Sequence, residues 1–279
     1  MQSQFIGNSN APLTTTEISD LTNTSLRHFD TLTRVLIVHP DDTRKDFSHL
    51  LIPQIAEELF THHGTQHLDT LSASGVHNTL SEIELRTKTG LTSEHYSDRV
   101  NLYSHNVNNT EELIDLDPIS GEFLRATTND YITQPVPLRL NSLLFDPYDL
   151  IITLSGTVPH EAVGFSGGTK IFLPGVAGRE IIGVFHWAAA MVGVPNIIGT
   201  LNNPARRIID EGASQILERI SATPVLSFDM VYSEDTAHNV LPYGLGVGEG
   251  LQGFRESLKS AASLSAILHI RHVPRPQQV

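Results

Sequence analysis

Arg34-Val35-Leu36-Ile37-Val38-His39, closed by Pro40, is the stretch from which the rest of the chain can be read. A strand with one wet face alternates polar and apolar residues, so an unbroken apolar, β-branched run describes a strand covered on both faces. Asp41-Asp42-Thr43-Arg44 follows as a loop with helix-opening chemistry, and Phe47, Leu50, Leu51, Ile55 and Leu59 then recur at helical spacing. His62-His63-Gly64 closes that helix, with imidazoles suited to its negative end and a glycine stop. Outward from this unit the pattern repeats. Strands are expected over 68–74, 100–103, 150–154 and 225–231, and helices over 81 onward, from about 176, over 205–220 and over 250–268. Ile18, Leu21, Leu26 and Phe29 permit a further short helix ahead of the first strand. Residues 1–15 read as a flexible arm, 108–125 as loop, and 271–279 as a linker-like tail. Strands alternating with helices predict an α/β fold: a Rossmann-like, layered, mostly parallel sheet with helices on both faces, one domain spanning 16–270.

Composition narrows the function. The chain has 279 residues, 31 acidic against 18 basic, and a formal charge of −13, which argues against a nucleic-acid partner. It has no cysteine, which removes disulfides, thiolate metal sites and thiol nucleophiles together. No apolar run approaches the ~20 residues that cross a bilayer, so no membrane partner is expected. The first twenty residues lack the basic start and apolar block of a secretory signal, and a cytoplasmic location is the expectation. The fourteen histidines are the compositional oddity.

In parallel sheets ligands bind at the carboxyl ends of strands. Asp41, Arg44, His77, His105 and His160 each follow an expected strand, so they are expected to converge on one sheet edge. The densest segment is Pro159-His160-Glu161-Ala162-Val163-Gly164-Phe165-Ser166-Gly167-Gly168-Thr169-Lys170. It is not a phosphate loop, because Thr169 and Ile171 stand where Gly and Ser/Thr are needed. Gly244-Leu245-Gly246-Val247-Gly248-Glu249-Gly250 misses the dinucleotide spacing and reads as a turn. His160-Glu161 lacks the second histidine of a helix-borne zinc pair. Taken singly, His77, His160 and His186 read more readily as structural or surface imidazoles than as catalysts; His28, His39 and His49 lie beside core-like patterns. An Arg, a Lys and several His at strand ends and in a glycine-rich loop is a different matter. Arg is the preferred fork for a carboxylate, and glycines around a Lys let backbone approach a ligand closely.

The order Asp41-x-x-Arg44, Gly75-x-His77, Pro159-His160, Gly164-Phe-Ser-Gly-Gly-x-Lys170, Leu-Pro-Gly175 and His186 resembles the N-terminal domain of the nickel-pincer lactate racemase family, over about 34–270. The resemblance implies a racemase or epimerase of a 2-hydroxy acid, working by reversible hydride transfer. It implies a nickel-pincer nucleotide (a nickel pyridinium-3-thioamide-5-thiocarboxylic acid mononucleotide) attached to Lys170, with His186 on the nickel. It further implies cofactor contacts from Asp41, Gly167 and Gly168, a substrate clamp from Arg44, and His77 and His160 as general acid/base pair. Sulfur donors on the cofactor would explain a nickel site without cysteine. The chain departs from the family at Val76 and Asn78, where Thr and Arg are common, and at Thr169, where Arg is frequent. These changes remove polar or basic groups, so the substrate's side chain stays open. Family members usually carry a second domain that closes the cleft. A separate chain supplying it is therefore an expected partner, and a non-catalytic or split-enzyme module holding the cofactor or a carboxylate ligand is the alternative reading.

Overall fold

The computed structural model describes residues 2–92 and 98–270. The unit that opens the sequence argument lies at the centre of the molecule. Strand β2 (Arg34–Pro40) is flanked on one side by β3 (His67–Ala73) and β4 (Val100–Ser104), and on the other by β7 (Leu150–Gly156) and β10 (Val225–Glu234), all parallel. Two antiparallel strands, β11 (Val240–Glu249) and β1 (Gln4–Gly7), complete a seven-stranded sheet in the order β1-β11-β10-β7-β2-β3-β4.

The continuous apolar run of β2 is explained by two cores. Val35 and Ile37 face one, with helices α1 (Thr15–Leu26) and α2 (Ser48–His62); Leu36 and Val38 face the other, with α5 (Arg179–Val192) and α7 (Pro204–Arg219). The fold is therefore α/β, a mostly parallel sheet with helices on both faces. Local chemistry sets the helix starts. Thr14 and Glu17 form a capping box on α1, Ser81 and Glu84 form another on α3 (Glu82–Thr89), and the Asn203 side chain accepts from the Arg206 amide at α7.

Three expectations are corrected. Residues 4–7 are not a flexible arm but the edge strand β1, registered on β11 with Phe5 opposite Gly246. Residues 108–125 are not loop throughout: β5 (Leu113–Ile119) pairs antiparallel with β6 (Val136–Asn141), and α4 (Gly121–Thr127) follows. Asp115 and Asp117 of β5 are exposed while only Ile119 is fully buried, so no apolar run announces that strand. The glycine run before 250 is strand, not turn. The glycines are there because α8 (Gly250–His269) lies hard against β11: a Cβ on Gly246 would stand 2.7 Å from Ser257 Oγ, and one on Gly248 would overlap the Gly253 backbone. The tail over 271–279 lies outside the described residues.

A paired substitution tests this packing. Gly246→Ala should lower the urea midpoint, by about 1–3 kcal/mol of overpacking. Gly183→Ala on the open face of α5, where a Cβ meets nothing within 4 Å, should raise it by about 0.5–1 kcal/mol.

Candidate active site

The carboxyl ends of β2, β3 and β7 open into a cavity of about 580 Å³, walled by the glycine-rich loop and by α5. Asp41, Arg44, His77, His160, Gly167, Lys170 and His186 all line it. Five separate stretches of sequence thus meet in one place.

Each is held by identifiable bonds. Asp41, immediately after β2, is buried; its Oδ1 accepts from the Thr43 amide at 3.2 Å and the Thr43 hydroxyl at 2.6 Å, and its Oδ2 lies 2.5 Å from His77 Nδ1. His77 comes from the turn after β3, where Gly75 adopts φ +56 and donates its amide to the Gly175 carbonyl at 2.9 Å. Lys88 fixes the Arg44 loop, donating at 2.7 Å to both the Arg44 carbonyl and Asp46. His160 ends the two-residue strand β8 (Pro159–His160), paired with β9 (Gly164–Phe165), and its Nδ1 accepts from the Ala162 amide at 3.1 Å. Burial, then the positive charge of Lys170, lowers the His160 pKa to about 4, so this imidazole is neutral at physiological pH.

The glycine-rich loop is fastened from below. The fully buried Arg206 of α7 donates to the carbonyls of Phe165 and Gly167. Asp229 of β10, equally buried, accepts from the Gly168 amide at 2.7 Å and from the Ser155 and Ser257 hydroxyls at 2.5 and 2.6 Å. Thr169 donates to Asp210 at 2.5 Å. Burial raises the Asp229 pKa and lowers that of Arg206. Lys170 sits one turn along, in the 3₁₀ segment Gly168–Ile171. Its amine is driven down to about 8 by burial first, then by Arg44 and Arg206. An ammonium crowded by two guanidinium groups makes a site that favours an anion and a partly deprotonated, nucleophilic amine.

His186, on α5, donates Nδ1–H to the Ile182 carbonyl at 2.9 Å. In the neutral ring this leaves Nε2 as the nitrogen with the lone pair, the one a metal ligand would use. Among the described residues no group of three or more His, Asp or Glu could hold a metal by itself. A metal here fits only if most of its donors arrive with a bound organic group.

The structure separates two expected residues from the rest. His105 is fully buried, its Nε2 against the Ala177 carbonyl at 3.1 Å, and does not line the cavity. Gly168 also lies behind the wall, its amide spent on Asp229, and a Cβ there would stand 2.9 Å from Leu258. Conversely, Tyr232 and Glu234 at the end of β10 line the cavity, and Arg206 and Asp229 hold its loop, without having been singled out by sequence. A charged residue inside the apolar run 225–231, and an arginine in α7 beside Ala205, Ile208 and Ile209, were the available signals.

A sequence profile described as the lactate racemase N-terminal domain matches residues 19–196, which include every one of these cavity residues between Asp41 and His186. The chain belongs to the lactate racemase N-terminal domain family. Lactate racemase of Thermoanaerobacterium thermosaccharolyticum is 27% identical over 176 residues, 62% of this chain and 37% of that protein. A crystal structure of a Thermotoga maritima protein superimposes with a TM-score of 0.89 at 35% identity, covering 97% of this chain and 63% of the other. The lactate racemase apoprotein from T. thermosaccharolyticum matches with a TM-score of 0.61 at 20% identity, over 86% and 54% of the two chains, and supports the fold. This member of the family thus spans little more than a third of its curated relative.

The lysine gives a direct test. Acylation of the unmodified chain by an amine reagent, followed on the Lys170 peptide by mass spectrometry, should rise with a midpoint near pH 8, because the free base predominates above that pH. A midpoint at the ordinary lysine value of 10.5 would show that the amine is solvated and unperturbed.

Proposed function

We propose that this chain forms the cofactor-holding half of a 2-hydroxy acid racemase or epimerase, with a nickel-pincer nucleotide attached to Lys170. The observation that carries this reading is the meeting of Arg44, His77, His160, Lys170 and His186 around one cavity. The chemistry explains why those types belong together. Removing the α-hydrogen of a hydroxy carboxylate as a proton would build a dianion, at high cost. Removing it as hydride while the hydroxyl loses its proton yields a neutral ketone beside the carboxylate, and return of hydride to the other face inverts the centre.

The pincer group, when bound, supplies the hydride acceptor. Lys170 would hold it covalently, and the Nε2 of His186 would be the protein's ligand to its nickel. Asp41 and Gly167 line the same cavity. Arg44 would clamp the substrate carboxylate, adding to the positive potential that already depresses Lys170. His77 and His160 would manage the hydroxyl proton, which an imidazole is suited to exchange near neutral pH. Of the three departures from the family pattern only Val76 lines the cavity, and the substrate's side chain is to be identified by assay.

Circular dichroism of D- and L-hydroxy acid solutions, with chain produced in a host that makes the cofactor, tests the reading. Racemisation should appear, Arg44→Lys should raise KM about tenfold or more through loss of the bidentate contact, and His77→Ala should lower kcat by about 10²–10⁴. Nickel-loaded chain that racemises none of them, alone or with the second domain of a relative, would contradict it.

A further inference from the structure

We infer that Asp41 and the Ala162 amide fix His77 and His160 in opposite tautomers, so that His77 carries the proton while His160 remains a neutral hydrogen-bond donor. The inference rests on the proposed function but divides the labour of the two imidazoles. A carboxylate can only accept, so the 2.5 Å contact between Asp41 Oδ2 and His77 Nδ1 places a hydrogen on Nδ1 and leaves Nε2 with its lone pair. A backbone amide can only donate, so the 3.1 Å contact from Ala162 to His160 Nδ1 places a lone pair there and the hydrogen on Nε2; the Glu161 carboxylate, 3.6 Å from the same nitrogen, is beyond hydrogen-bond reach. The two rings therefore offer the cavity complementary groups, an acceptor from His77 and a donor from His160.

The consequences for proton transfer differ. When the hydroxyl O–H bond breaks, its proton goes to Nε2 of His77, and the imidazolium so formed keeps its Nδ1–H on the buried Asp41 carboxylate. The same proton returns to oxygen when hydride comes back. His160 has no comparable route. Accepting a proton on Nε2 would first require moving its hydrogen to Nδ1, where the Ala162 amide already points, and giving up Nε2–H would leave an imidazolate. Burial, which outweighs the nearby Glu161 carboxylate and pushes His160 down to about 4, disfavours the imidazolium as well. What His160 can do throughout is donate Nε2–H to the substrate oxygen, first as hydroxyl and then as carbonyl. Asp41 is a positioning residue in this scheme: it selects the tautomer of His77.

The test has an arm that needs no turnover. Nitrogen-15 NMR of histidine-labelled chain without cofactor, assigned with His77→Gln and His160→Gln, should show Nδ1 protonated in His77 and unprotonated in His160. Asp41→Asn, whose amide can rotate to donate to Nδ1, should shift His77 toward the Nε2–H tautomer. In loaded enzyme, His160→Gln keeps a donor that cannot carry a proton, so kcat should fall about tenfold or less, whereas His77→Gln should fall at least a hundredfold and Asp41→Asn should lower kcat with KM little changed. A protonated Nδ1 on His160, or a His160→Gln enzyme that keeps its fold and is as inactive as His77→Gln, would overturn the inference. Tautomers as assigned in a chain that racemises nothing would uphold the geometry and count against the proposed function instead.

Discussion

The site depends on two buried charges that hold a loop of glycines. Backbone with so few side chains has little to fix it, and each unsatisfied buried amide or carbonyl costs about 1–3 kcal/mol. Arg206 takes two of the loop's carbonyls and Asp229 takes its Gly168 amide, each ion from a different element packed beneath the loop. Neither charge would be tolerated there without those partners. The arrangement converts a flexible sequence into a fixed wall, with Lys170 at its end and His160 at its start. Gly167 must be glycine because its φ is +91 and a Cβ would stand 2.5 Å from the Thr157 hydroxyl. Fixing that wall is also what lets one amide, from Ala162, choose the tautomer of His160.

The same positive density shapes the chemistry. Arg206 below the loop and Arg44 across the cavity both depress Lys170, so the groups that build the wall and receive an anion also activate the amine. Asp41 offsets this on the opposite side, where it binds His77 rather than any of the cations. The Asp41 carboxylate accepts from Thr43 and His77 and still borders the cavity.

What could be read from sequence follows burial. Strands β2, β3, β7 and β10 announce themselves because both faces are covered and their runs are rich in apolar residues, although Asp69 interrupts β3 and Asp229 interrupts β10. The strand β11 does not, since close packing against α8 demanded glycines at 244, 246 and 248, the residues that otherwise signal turns. The edge strand β1 and strand β5 are short or half-wet and leave no period to count; β6 does alternate, with Val136, Leu138 and Leu140 buried between Pro137 and Arg139. The cavity residues were legible through their order along the chain, each at a strand end. Arg206, Asp229 and the partner of Asp41 were not, because long-range hydrogen bonds have no signature in spacing, and His105 shows that a histidine after a strand can equally turn inward to a carbonyl.

The account's central claim is that an organic nickel group is anchored at Lys170. It is tested most directly by the mass of the Lys170 peptide from chain purified out of a cofactor-making host, read beside the nickel content of the same sample. An adduct on that peptide with nickel near one equivalent is the predicted result. An unmodified Lys170 in chain free of nickel would contradict it.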